Sequence, residues 1–274
     1  MPPMSQQPPP ALPGGPRVNY RSIALPIEHG GWGFTLEPVL LGLLVAYSAA
    51  AWELSVAALA VFLTRRPFKL VATDVVRRRW LPRSTVALGF AGLYGILALA
   101  GLLGALVTAG PRFLIAYFAA APFALVALNA DARSKSRALV AELAGAAAMG
   151  STATAIALAD GWSAVDAFGL WLVLIARGVT TIILVRGQIR RVHGKPVGER
   201  GIYTVALATL AGIAVAAALG AVPWLSVVAI LGIAALAYVS LRHPPVAANT
   251  IGWTQIVTGL VVVLLTGLGV WLDV

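Results

Sequence analysis

The sequence predicts an all-α fold, a polytopic bundle of about nine transmembrane helices. Three observations carry that prediction. Only 11% of the 274 residues are charged and 59% are hydrophobic, whereas a soluble domain carries about 25% charged residues. Mean hydropathy is +0.89, and a soluble globule of this size could not cover its surface with so little charge. Apolar stretches near the roughly 20 residues that a helix needs to span a bilayer recur along the chain, separated by short basic or Gly/Pro breaks. The composition excludes a cytosolic enzyme, a disordered chain and a disulfide-stapled secreted domain. With no cysteine in the chain, disulfides, thiolate metal sites and cysteine nucleophiles are excluded too.

Taken in order, residues 1–24 are rich in Pro, Gly and Gln without an apolar run, so they read as a disordered Pro-rich cytoplasmic tail and not as a signal peptide. The remainder, 25–274, reads as a single transmembrane domain. The first apolar region, Trp32 to Thr64, is too long for one ordinary span and tight for two. It reads as a hairpin of short helices, Trp32–Ser48 and Ala51–Thr64, turning near Ala49–Glu53; a single long helix is the other option. Seven clear spans follow: Val86–Thr108, Phe113–Leu128, Leu139–Ala159, Ala164–Val185, Ile202–Gly220, Val222–Leu241 and Ile251–Leu272. Small residues at Gly89, Gly92, Gly95, Gly101 and Gly104, and at Ala144, Ala148 and Thr152, predict close helix packing.

With nine helices, eighteen of the twenty Lys and Arg fall on the side of the N-terminus, Arg112 falls opposite, and Arg177 lies within a span. Cytoplasmic loops carry the excess of Lys and Arg, which predicts a cytoplasmic (inner) membrane protein with its N-terminus inside and its C-terminus outside. Net charge is +10. We assign that excess to topology and anionic membrane lipids, and expect no nucleic-acid partner.

Three segments on the basic side hold nearly all the polar side chains: Arg65–Thr85, Asn129–Arg137 and Arg186–Arg200. All three read as loops in which cations outnumber anions, leaving charge free for a phosphate or an anionic headgroup. Candidate anion- or substrate-binding residues are Arg65, Arg66, Lys69, Arg133, Arg177, Arg186 and Arg190. Candidate orienting or cavity-lining residues are Glu28, His29, Glu37, Asp74, Asn129, Asp131 and Glu142. Arg177 is the most informative, about nine residues and so roughly 13 Å from the basic-side end of its span at 1.5 Å per residue. A charge there costs roughly 2.5–3.5 kcal/mol on insertion scales and calls for an interior partner. Glu37 and Glu142 occupy the same membrane half, and either or both are in position to pair with it. The pair is then either a packing ion pair or the lining of a cavity open to the cytoplasm. His29, His193 and His243 lack metal-ligand spacing, so no metal site is expected.

The motifs Pro26-Ile27-Glu28-His29-Gly30-Gly31-Trp32 and Phe62-Leu63-Thr64-Arg65-Arg66-Pro67-Phe68-Lys69-Leu70, with Asp131, Arg137, Glu142-Leu143-Ala144-Gly145 and the Arg177 helix running into Leu184-Val185-Arg186, resemble the bacterial YwiC-like family of multi-pass membrane proteins. More distantly, the plan is similar to that of UbiA-type intramembrane prenyltransferases, whose two Asp-rich cytoplasmic motifs hold Mg²⁺ for a prenyl diphosphate. The corresponding segments here offer Asp74 alone and Glu199 without an Asp. Mg²⁺ takes several oxygen ligands, so no cofactor is expected. The implied activity is the binding or transfer of an anionic isoprenoid or lipid, with cations stabilising a diphosphate leaving group if there is catalysis. Two other classes remain open. One is secondary transport of a small anion through the Arg177 cavity; the other is a non-enzymatic membrane partner or assembly subunit gripping an acidic cytosolic protein.

Overall fold

The computed structural model describes residues 19–26, 29–133 and 137–274. Glu28 and most of the Pro-rich tail lie outside the described residues, as does the side chain of His29. The described chain is helical throughout: α1 Tyr20–Ala24, α2 His29–Val45, α3 Ala49–Val76, α4 Pro82–Ala109, α5 Leu114–Ala132, α6 Leu139–Ala159, α7 Ala164–Val192, α8 Glu199–Ala218, α9 Trp224–Arg242 and α10 Ala248–Leu272. A 3-10 turn, Pro111–Phe113, leads into α5. Seven helices, α4 to α10, are long and apolar enough to cross a membrane, and α2 contributes a shorter apolar helix. The polytopic helical bundle expected from the sequence is the one observed.

The first apolar region is two helices. The turn occupies 46–48 and not Ala49–Glu53, because Ser48 caps α3 by accepting a hydrogen bond from Ala51 N at 3.2 Å. A side-chain cap of this kind satisfies one of the orphan donors at a helix start. The expected charged loops are shorter than the sequence suggests. Helix α3 runs on through Arg65, Arg66 and Lys69 to Val76, α5 continues to Ala132, and α7 carries Arg186, Arg190 and Arg191 within its last turns. Charge lowers hydropathy but does not end a helix, since Arg and Lys are good helix formers. Pro67 is buried inside α3, where its missing N–H leaves a carbonyl one turn earlier without its helical partner.

Helices α6 and α7 are the most buried and form the centre. On one flank α3 packs along α4, and α5 against α6; on the other α8 pairs with α9, which also meets α7 and α10. Helix α2 lies between α6 and α10. The main core gathers Leu41, Leu54, Phe113, Ile156 and Leu170, and a second gathers Val173, Ile213, Ile230 and Val262. Large apolar side chains such as Val107, Phe118 and Ile96 cover the exterior, a surface suited to lipid.

Only part of the glycine pattern packs as expected. A Cβ on Gly101 would collide with the backbone of Glu53 and meet Ala57, and one on Gly104 would reach the Glu53 side chain. Gly89, Gly92 and Gly95 face open space. The spacing of small residues does not say which face of α4 meets a neighbour, and only its second half meets α3 this closely.

Candidate functional site

The deepest charge is paired. Arg177 Nη2 donates to Glu37 Oε1 at 2.7 Å and to the backbone carbonyl of Gln255 at 3.0 Å. Its guanidinium carbon lies 5.1 Å from the centroid of the Phe34 ring. Three helices build the site, α2 supplying Glu37 and Phe34, α7 the arginine and α10 the carbonyl. Gly259 of α10 makes the approach feasible, because a Cβ there would collide with Glu37 Oε1 and lie 2.7 Å from Arg177 Nη2. Both side chains are sealed, at 3% and 8% exposure. Since α7 runs to Val192, Arg177 stands near the helix midpoint, deeper than a span ending at Val185 implies. Of the two carboxylates placed within its reach, Glu37 is the partner. Glu142 instead pairs with Arg186 at 2.8 Å.

The other candidate residues line one end of the bundle in local pairs. Arg65 makes a two-pronged bond to Asp131, with Nε–Oδ2 2.5 Å and Nη2–Oδ1 2.8 Å, and Lys69 stands 3.9 Å from the same carboxylate. Arg66 Nε donates to the Ser22 carbonyl, tying α1 to α3. Arg186 also donates to the Arg137 carbonyl at 3.0 Å, and Arg190 to the Pro196 carbonyl at 3.1 Å. Arg133 and Asn129 are exposed near the end of α5. Asp74 is fully buried and accepts from Arg83, at 3.2 and 3.0 Å, and from Ser84 at 2.8 Å, with Arg79 at 3.5 Å. The hydrogen bonds from Arg83 and Ser84 hold its carboxyl well below the usual carboxylate range, at about 2. That cluster closes the turn between α3 and α4. His193 and His243 each place Nδ1 on a backbone carbonyl of their own helix, at 2.7 and 2.8 Å. No three His, Asp or Glu among the described residues come together as a metal site.

Two concavities adjoin this basic end. A notch of about 180 Å³ lies between α6, α7 and α8, lined by Arg186, Gly187, Arg190 and Gly198. A larger groove of about 480 Å³ runs between α9 and α10, from Thr250 and Trp253 past Gly232 to Val261. A side chain added at Gly232 would meet nothing within 4 Å. Arg242 ends α9, its guanidinium 4.9 Å from the Tyr238 ring.

Sequence reasoning misses Gln255, Thr181, Gln188 and Tyr203. Each has buried polar atoms without a hydrogen-bond partner, as does Arg177 at Nε. A signal was present, since Thr181 and Gln188 follow Arg177 by four and eleven residues and so share its helix face at 3.6 residues per turn.

Residues 25–157, from just before α2 to the last turn of α6, match the family model described as YwiC-like protein. No curated protein and no solved structure matches the chain.

Proposed function

We propose that this protein, YwiC-like over its N-terminal half, is an integral membrane protein that binds an anionic lipid-like molecule. Its chain would lie in the α9–α10 groove and its headgroup at the basic end. The groove carries the reading. Its α10 wall extends from Thr250 to Val261, about 16 Å at 1.5 Å per residue, and its lining is apolar apart from threonine hydroxyls. A volume of about 480 Å³ is within the usual range for a small-molecule site, roughly 300–1,000 Å³. Arg242 is the last residue of α9, which forms one wall, and Arg191 donates to the Ser240 and His243 carbonyls at that helix's basic end, at 2.7 and 2.8 Å; the long side would open toward lipid. A chain reaches such a slot by lateral diffusion, and guanidinium groups suit a phosphate headgroup. The excess of Lys and Arg at this end also favours a cytoplasmic N-terminus and an outer C-terminus.

The test compares purified protein with anionic phosphatidylglycerol, zwitterionic phosphatidylcholine and a prenyl diphosphate, reading thermal stabilisation in detergent. Anionic ligands stabilise the native chain in a concentration-dependent way. Gly232→Trp, at a position where a Cβ meets nothing within 4 Å, places an indole in the groove and removes the effect, while Arg242→Gln weakens it. Equal stabilisation by phosphatidylcholine, or an undiminished effect in Gly232→Trp, refutes the reading.

A further inference from the structure

Among the described residues, the buried side-chain atoms without a partner are Arg177 Nε, Thr181 Oγ1, Gln188 Oε1, Tyr203 OH and both terminal atoms of Gln255. Every one lies between the midpoint of the bundle and the basic end. Arg177 is near the middle of α7, Thr181 is one turn further on, and Gln188 is four residues short of its last residue. Tyr203 is in the first turns of α8, and Gln255 is seven residues into α10. On α7 the three positions fall within about 40° of one another at 100° per residue. Beyond Arg177 in the other direction the same helix presents Val173, Leu174 and Leu170, all buried in apolar clusters. The buried hydroxyls of that half have partners. Thr154 donates to the Ala167 carbonyl at 2.9 Å, Ser226 to Thr266 at 3.2 Å and Ser55 to the Ala51 carbonyl at 2.6 Å.

We propose that these atoms line a one-sided aqueous half-channel, which brings water from the basic end to the Arg177–Glu37 pair and stops there. Buried polar groups that lack a protein partner are ordinarily met by internal water making two to four hydrogen bonds. On α7, Arg177 Nε is a donor, Thr181 Oγ1 either and Gln188 Oε1 an acceptor, so water, which both donates and accepts, can bond to each in turn. Leu184 is fully buried on that face between Thr181 and Gln188, packed with Ile202 and Leu241. It divides the file into an outer chamber at Gln188 and Tyr203 and an inner one at Arg177, Thr181 and Gln255. The chemistry of the inner chamber is that of a neutral ion pair flanked by an amide and a hydroxyl, so it takes water or a small uncharged hydrogen-bonding solute. The half-channel does not depend on a lipid in the α9–α10 groove.

The chain contains no cysteine, so single cysteines can be introduced directly into the full-length protein. Thr181→Cys and Gln188→Cys probe the two chambers, and Val173→Cys probes the apolar half. In sealed vesicles of each orientation, aqueous Ag⁺ is applied and the thiols left unreacted are counted with a maleimide after denaturation. Ag⁺ at the basic end protects Thr181→Cys and Gln188→Cys at least tenfold faster than Val173→Cys, and Ag⁺ at the opposite end protects none of them. Adding Leu184→Ala raises the rate at Thr181→Cys several-fold. Protection at Gln188→Cys alone, equal protection at Val173→Cys, or protection from both sides overturns the proposal. Water-edited solid-state NMR of the unsubstituted protein gives an independent reading, in which magnetisation passes from water to Arg177 Nε. Absence of that transfer also overturns the proposal.

Discussion

Removing one member of the Arg177–Glu37 pair should destabilise the protein far more than removing both. The contact is a single charge-assisted bond of 2.7 Å. With the charge centres about 4 Å apart, the Coulomb attraction is about 4 kcal/mol at an effective dielectric constant of 20. Glu37→Gln keeps an acceptor at the same place but leaves the guanidinium uncompensated. Arg177→Met keeps much of the volume but leaves the carboxylate uncompensated. Breaking a buried pair in this way costs about 3–5 kcal/mol, whereas replacing both charges by neutral groups is often close to neutral. The combined variant should therefore recover most of the loss, giving a coupling of about 2–4 kcal/mol. Equilibrium unfolding in mixed detergent micelles, run as a double-mutant cycle, measures it. Failure of the single variants to accumulate, with the combined variant restored, carries the same meaning. Additive losses, or single variants within about 1 kcal/mol of the parent chain, would refute the view that the two charges depend on each other.

Gly259→Ala should separate the same pair from the other side, because the new Cβ collides with Glu37 and Arg177; a melting temperature within 2 °C of the parent, where 1 kcal/mol is worth roughly 2–4 °C in a chain of this size, would contradict it. Gly101→Leu should disrupt the α3–α4 contact at Glu53, while Gly95→Leu faces open space and should leave the thermal midpoint unchanged; equal effects of the two would reverse the assignment of faces on α4. The Asp74 cluster sets a pH dependence. Its carboxyl is held at about 2 against an ordinary value of 3.8, so its contribution is fully present above 3.8 and is lost as pH falls through about 2. Protection of the α3–α4 turn amides, measured against the intrinsic exchange rate at each pH, should hold down to pH 4 and fall below it, and Asp74→Asn should show low protection at all pH values. A turn that loosens between pH 7 and 5 would place the controlling group elsewhere.

The bundle was legible because its two strongest signals are compositional: apolar length and the one-sided distribution of Lys and Arg. Helix ends were not, wherever a charged helix continues past its apolar stretch. Arg186 and Arg190 read as loop residues by hydropathy, yet they occupy the last turns of α7. The Ser48 cap was visible as a residue type, but Trp32–Thr64 has no Gly or Pro near its turn to draw attention to it. Arg177 was legible as a charge that must find a partner, and Glu37 as one of two carboxylates at suitable depth. Which of them pairs depends on the position of α10, whose Gly259 lets Glu37 and Arg177 meet, and nothing local to either residue encodes that position. Gln255, Thr181 and Gln188 escaped because uncharged polar residues scarcely interrupt an apolar run. Their significance lies in the absence of partners, which is a property of packing and not of sequence.

That absence is too costly to be left dry. A buried polar atom deprived of its hydrogen bond costs about 1–3 kcal/mol, and six such atoms gather between Arg177 and the basic end. Together they would consume roughly 6–18 kcal/mol, as much as the entire net stability of a typical folded protein, about 5–15 kcal/mol. In the proposed half-channel those atoms are hydrated, whereas Val173 and Leu174, two turns from Thr181, sit in apolar clusters. The opposite end has Arg112 as its only Lys or Arg among the described residues, against Glu53, Asp160, Asp166 and Asp273. The end rich in cations is therefore also the end whose interior holds the unpartnered polar atoms. The proposed lipid capture at the surface and the proposed hydration within do not require each other, but both would put the working face of the molecule at the same end.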